Sequence, residues 1–455
     1  MKIGLLPLYI KLYDDIGVKR DYLEKFYAEV AQMFSKKGIE VISADFCRIK
    51  EEFEVAISDF ERNGADAIVT LHMAYSPSLE SLDALTKTKL PIIVMDSTPT
   101  LEFTPMQDPV CIDYNHGIHG VMDMCSMLKQ KGKPYAIAAG HYTESDVVDR
   151  VCGFVRAAVS ATSLGKMKVA LVGGAFDGMG DFAVEPAELK DKFGICVEDI
   201  TPQTLAKFRN AVTSEEIDNE ISEDKRKYNF CEDVVEEEYR EYTSVCLALR
   251  KLIDAQEYNA FSVNFLNVEE LGTMPFVECC KAMERGIGYA GEGDALTAAF
   301  TGAFLKSYQE TSFVEIFCPD WKNNNVFLSH MGEMNYRICD EKPFICRTGS
   351  VFVKGSMPYA GYSRMKGGSG VYVNISREKD DYQLLVTPCT MLDVKNDSFK
   401  RSMRGWMQPQ TESTAEFLEK LSKNGATHHS SFIYGTSVEE IEFFGKLLGI
   451  KTVVI

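Results

Sequence analysis

The chain has 455 residues, with 67 acidic against 49 basic side chains and a net charge of −18. Single cores stop growing at roughly 250–300 residues, so this length predicts two or three domains. A hydrophobic fraction of 45% with 25% charged residues excludes a disordered, collagen-like or coiled-coil chain, and the acidic balance argues against a nucleic-acid or anionic-membrane partner, which needs clustered Lys and Arg.

No run of about 18 apolar residues is present to span a bilayer. The opening residues lack the basic, apolar and small-residue succession of a signal peptide, so a cytoplasmic protein is expected. The 13 cysteines are odd in number, form no CxxC and include several inside apolar runs, namely Cys125, Cys152, Cys246, Cys279 and Cys280. They read as small buried hydrophobes in a reducing compartment, with neither disulfides nor a thiolate zinc site expected.

Residues 3–10 form a short apolar run. Tyr22, Phe26, Val30 and Phe34, with Leu23 and Tyr27 beside them, make a helical stripe that Gly38 can end. Apolar strands are predicted at 39–44, 67–71, 92–95, 135–139 and 169–172, separated by helical patterns. That alternation argues a parallel sheet covered by helices, so residues 1–165 read as a doubly wound α/β domain. Ligands in such sheets sit at the carboxyl ends of strands, where His72, Asp96 and His141 fall. The Gly173-Gly174-Ala175-Phe176-Asp177-Gly178-Met179-Gly180 stretch lacks the GxGxxG spacing of a dinucleotide site and reads as a tight turn into a second domain. Acidic residues over 214–240, with Lys225, Arg226 and Lys227 nearby, read as a solvated helix face. From about 325, short β-type runs at 326–328, 344–346, 351–353, 371–375 and 382–386 indicate an antiparallel sandwich or barrel. A helix at 414–421 and a helix-strand unit at 438–455 close the chain. The expected domains are 1–165, a central α/β domain over 166–322, and a β-barrel-like domain over 323–455.

The chemistry concentrates in the second half. Gly291 and Gly293 flank Glu292 between two predicted helices and let the backbone present that carboxylate. Glu315 is the one charge in the apolar run 311–317, and a buried carboxylate needs a cation, a hydrogen-bond set or a metal. His330 ends the run 326–328, and His428-His429 fall in a loop after a helix. Two carboxylates and two imidazoles make a mixed oxygen/nitrogen donor set suited to Mn²⁺, Co²⁺, Fe²⁺ or Mg²⁺. The alternatives are a helix cap for Glu292, an ion pair at the core edge for Glu315 and hydrogen-bonded loop histidines.

These segments resemble the L-arabinose isomerase family and, more distantly, L-fucose isomerase. Gly291-Glu292-Gly293-Asp294 is similar to the family's Glu-Gly-Asp segment, Thr311-Ser312-Phe313-Val314-Glu315 to its Thr-Ser-Phe-Met-Glu run, Ser329-His330-Met331-Gly332-Glu333 to its Ser-His-Met-Leu-Glu run, and Gly425-Ala426-Thr427-His428-His429 to its Gly-Gly-Ala-His-His loop. The four occur in the family's order. Weaker likenesses at Tyr75-Ser76-Pro77, Gly140-His141-Tyr142 and Gly405-Trp406-Met407 extend over nearly the whole chain. The resemblance implies a divalent-metal aldose–ketose isomerase, usually Mn²⁺-dependent, working through an enediol. Glu292, Glu315, His330 and His429 would hold the metal, and Glu292 and Glu315 would carry the acid–base work. It implies an N-terminal and a central α/β domain before a barrel-like domain, in homotrimers or homohexamers whose subunits share sites. His116 would reach across to a neighbour, with Tyr13 and Met179 at substrate-pocket positions. His428 would orient His429 or bind a sugar hydroxyl.

Departures fall in the pocket. Ala295-Leu296 replace the family's Trp-Lys, 316–320 replace an aromatic-rich stretch, and Ile10 and Asp113 stand where the family has glutamines. The expected substrate is therefore a sugar other than, or besides, L-arabinose. Two further readings stay open: a non-catalytic sugar-binding protein, and an isomerase or epimerase of a phosphorylated or sulfonated sugar.

Overall fold

The structure, a computed structural model, describes residues 1–17, 20–268, 271–348 and 358–455. The expected strand at 351–353 lies outside the described residues. The chain divides into two compact units, Met1–Val159 and Ser160–Ile455.

The first unit is built on strands β1 (Lys2–Leu8), β2 (Glu40–Ser43), β3 (Ala67–His72), β4 (Ile92–Asp96) and β5 (Tyr135–Ala139). They pair in the order β2-β1-β3-β4-β5, every pair parallel, with helices in the crossovers. This is the doubly wound sheet the alternation predicts. Helix Asp21–Lys36 buries Leu23, Phe26, Val30 and Phe34. That stripe follows i, i+3 and i+7 spacing from Leu23, which leaves Tyr22 exposed at its margin. The edge strand β5 alternates buried and exposed residues, as a strand covered on one face does.

The second unit holds a parallel sheet of β6 (Lys168–Val172), β7 (Cys196–Ile200), β9 (Ala260–Val263) and β10 (Gly288–Gly291), in the order β10-β9-β6-β7. A small sheet joins β8 (Asn229–Phe230), β13 (Phe344–Arg347) and β14 (Tyr359–Tyr362). Six antiparallel strands close a barrel in the order β15-β18-β11-β12-β17-β16, with β16 pairing back to β15. They are β11 (Thr311–Asp320), β12 (Asn325–Ser329), β15 (Gly368–Glu378), β16 (Asp381–Met391), β17 (Gly405–Pro409) and β18 (His429–Tyr434). A last strand, β19 (Lys451–Val454), adds to β16 in parallel.

Helix Ala295–Leu305 is buried at every position. It packs against β10, β9 and β6 and also against β11, β18 and β15, which explains a sequence that is apolar all round. Three expectations change. His429 begins strand β18 rather than sitting in a loop. Cys231 and Cys346 form a disulfide, while Cys318 is exposed and Cys125 half-buried, so the cysteines are not uniformly inert core residues. The acidic 214–240 stretch is solvated only in part. Helix Ser214–Lys227 turns Glu220 and Asp224 inward, where Lys281 pairs with both and Arg250 with Glu220. No described helix is long and apolar enough to cross a membrane.

Candidate metal centre

Strand register brings the candidate ligands together. Glu315 of β11 lies directly opposite His429 of β18 and opposite Ser329 of β12. Residues directly opposite in an antiparallel pair share a face, and His330 follows Ser329. Glu315 is therefore on a barrel stave. Glu292 arrives from the carboxyl end of β10. It adopts φ 64°, a left-handed conformation costing a non-glycine residue on the order of 1 kcal/mol or more. The flanking glycines answer two crowding problems. A Cβ on Gly291 would sit 2.8 Å from Cε1 of the His330 ring, and one on Gly293 2.4 Å from the Gly174 carbonyl oxygen.

One donor atom each from Glu292, His330 and His429 lies within 4.8 Å of the others, and all three residues are buried. Nε2 of His429 stands 3.3 Å from Glu292 Oε2, and Nε2 of His330 stands 3.7 Å from Glu315 Oε2. The other nitrogen of each ring is occupied. His330 Nδ1 donates to Glu333 Oε2 at 2.7 Å, and His429 Nδ1 donates to Asp294 Oδ2 at 3.0 Å. Glu333 is fixed in turn by the Tyr289 hydroxyl and the Gly332 amide, each at 2.8 Å. Asp294 caps helix Ala295–Leu305 by accepting from the Thr297 amide with its other oxygen. Phe313, two residues before Glu315 on the same face of β11, meets both imidazoles edge-on with centroids 4.9 Å away. Phe182 stacks on His429 at 4.8 Å.

Of the other expected site residues, His428 lies beside the cluster. Its Nδ1 and backbone amide donate to Asp181 at 2.6 and 3.0 Å, and its Nε2 faces Glu292 at 3.5 Å. Met179 is half-buried in the same 173–182 loop, which hydrogen-bonds to the Glu292 carbonyl through the Phe176 amide. Tyr13 and His116 lie in the first unit and hydrogen-bond to each other at 2.6 Å, their rings stacked. The sequence reading missed Asp181, Glu333 and Asp294 as supports. Glu333 stood within a recognised motif, but Asp181 had no local signal.

The electrostatics separate the two carboxylates. Burial alone raises Glu292, but bonds from His428 and His429 and the charge of His330 hold it well below the usual range. Burial raises Glu315 and the histidines only partly oppose it. Burial works against the His330 imidazolium, yet Glu333, Glu315 and Glu292 carry its pKa up to about 9. These residues fit a divalent cation. With both Nδ1 atoms tied to carboxylates, Nε2 is the nitrogen each ring has left for a cation, which would displace the Nε2 proton of His330. Carboxylates behind both imidazoles are the usual support for metal-binding histidines.

The chain matches the L-arabinose isomerase central domain over residues 177–308 and the L-arabinose isomerase C-terminal domain over residues 310–451. An L-arabinose isomerase from Oceanobacillus iheyensis is 24% identical over 367 residues, covering 76% of each chain. One from Clostridium beijerinckii is 25% identical over 407 residues, covering 87% of this chain and 82% of that one. Another, from Shouchella clausii, is 23% identical over 418 residues, covering 90% and 84%. The two matched domains carry all four candidate ligands, and the chain belongs to the L-arabinose isomerase family as an aldose–ketose isomerase, an intramolecular oxidoreductase.

Proposed function

We propose that the chain interconverts an open-chain aldose and its ketose through an enediol, using a divalent cation, Mn²⁺ by preference, held by Glu292, Glu315, His330 and His429. The observation that carries this reading is the meeting of two carboxylates with two imidazoles whose far nitrogens are both tied to carboxylates. A cation held by Glu292, Glu315, His330 and His429 would supply Lewis acidity, which would stabilise the negative charge that an enediolate develops. The chain's own groups move the protons. One carboxylate of the Glu292/Glu315 pair accepts the proton from C2 and returns it to C1, while the other passes a proton from the C2 hydroxyl to the C1 oxygen. His428, anchored by Asp181, holds the Glu292 carboxylate in place. Phe182 and Phe313 wall the imidazoles from water.

The sugar is set by the replaced pocket positions: Ile10, Asp113, Ala295-Leu296 and residues 316–320. The substrate is an aldose related to L-arabinose but not confined to it. We also propose a cytoplasmic homotrimer or homohexamer in which His116 and Tyr13 line a neighbour's site. Leu101, Phe103, Met106, Val110, Ile112 and Ile118 are all exposed in and beside the segment leading to His116. Apolar side chains gathered in this way fit a face covered by another copy. The test is incubation with Mn²⁺ and a panel of pentoses, hexoses and their phosphorylated and sulfonated forms, following ketose production. Turnover of at least one aldose is expected. Binding of a sugar without any turnover, with or without the cation, would overturn the reading.

A further inference from the structure

A second cluster of soft donors lies away from the isomerase centre. Strands β8 and β13 run parallel, with Asn229 opposite Phe344 and Phe230 opposite Ile345. One step further on, the same register sets Cys231 beside Cys346, their Cα atoms 5.0 Å apart and their sulfurs joined although 115 residues separate them. After Cys231 the chain turns back, the Val234 amide donating to the Cys231 carbonyl. That turn delivers Asp233. One donor atom each from Cys231, Asp233 and Cys346 lies within 4.8 Å of the others. Cys346 is buried, while Cys231 and Asp233 are half-buried, so the group opens toward solvent on one side.

We propose that the reduced Cys231/Cys346 pair, with Asp233, is a binding site for a soft divalent cation such as Zn²⁺, and that cation binding and the disulfide are mutually exclusive states of one site. Two thiolates and a carboxylate suit Zn²⁺ or Co²⁺ and leave a fourth position for water. Interconversion is a balanced two-electron exchange. A dithiol reductant is oxidised to its disulfide, and its two hydrogens leave Cys231 and Cys346 as thiols. The cation then displaces both thiol protons to solvent. The charged neighbours act in both directions. Arg401 Nη1 donates to Asp233 Oδ2 at 2.6 Å and competes with a cation for that carboxylate. The Arg347 amide approaches the other oxygen at 3.4 Å, while the Arg347 guanidinium pairs with Glu238. Positive charge near the sulfurs favours thiolates. In either state the site fastens the segment before helix Glu236–Ala255 to the small sheet.

The test uses Co²⁺ alone as probe, added to full-length protein reduced with a dithiol that is then removed. The isomerase centre offers only oxygen and nitrogen donors, so a thiolate-to-cobalt charge-transfer band reports this cluster. The reduced wild type should show the band and the oxidised wild type, with the same fold, should not. Cys231→Ser should abolish it. Asp233→Asn should keep the band but weaken Co²⁺ affinity by about tenfold or more, and Arg401→Gln should strengthen it. Absence of the band in the reduced wild type, or an undiminished band in Cys231→Ser, would overturn the proposal.

Discussion

The carboxyl ends of the strands in the first unit and the centre built on the barrel are both rich in buried polar groups, but they are finished differently. At the barrel, each candidate imidazole has one nitrogen tied to a carboxylate that is itself anchored by backbone or hydroxyl donors. In the first unit, Thr70 Oγ1, both ring nitrogens of His72, Ser76 Oγ and Ser97 Oγ meet no hydrogen-bond partner among the described residues. His72 is buried, and burial holds its pKa down at about 3, so it stays neutral. A centre whose two imidazoles are both held in this way is preorganised. The strand-end groups of the first unit lack that finish, their polar atoms being buried without a matching donor or acceptor among the described residues.

The largest way to sharpen this contrast is at the carboxylates. Glu292→Gln and Glu315→Gln should each lower turnover by about 10²–10⁴-fold while circular dichroism and melting stay native-like; activity within tenfold of wild type contradicts their roles. Next come the supports. Glu333→Gln and Asp294→Asn should weaken Mn²⁺ binding by about 10–100-fold, read by calorimetric titration, because each releases an imidazole from its fixed tautomer. Unchanged affinity would make those carboxylates mere packing partners. The first unit is probed by mixing. His116→Ala and Glu292→Gln proteins, each inactive alone, should regain activity when dissociated and reassembled together, since mixed assemblies pair one intact centre with one intact His116. No recovery would confine His116 to its own chain.

The smallest effect concerns acid stability away from either region. Burial raises Glu220, but its bonds to Arg250 and the charges of Lys281 and Arg250 bring it down to about 2 from an ordinary 4.5. A carboxylate lowered on folding contributes stability above its unfolded value and loses it as pH falls toward the folded one. The window is therefore about pH 4.5 down to 2. Asp224 works in the opposite sense, because burial raises it despite Lys281. Glu220→Gln should flatten the fall in melting temperature across that acid window; an unaltered slope contradicts the assignment.

Much of this was legible in the sequence, and the gaps have physical causes. The parallel sheet of the first unit showed because its strands are apolar and its helices periodic. Strand β7 (CVEDI) is half polar, and β9 and β10 are four residues each, too short for any period to show. Strand β18 opens His-Ser-Ser, residues whose burial is satisfied by partners such as Asn374, Tyr372 and Thr301 on other elements, so its start read as loop. Glu292 and Glu315 stood out as carboxylates among glycines and apolar residues. The Asp181–His428 and Cys231–Cys346 pairings span 247 and 115 residues, and only strand register and loop placement reveal them.

Anomalous scattering at the manganese edge, from crystals soaked in Mn²⁺, tests the central claim most directly. A single strong peak coordinated by Glu292, Glu315, His330 and His429 is the predicted result. A peak elsewhere with none between these four side chains would contradict the account.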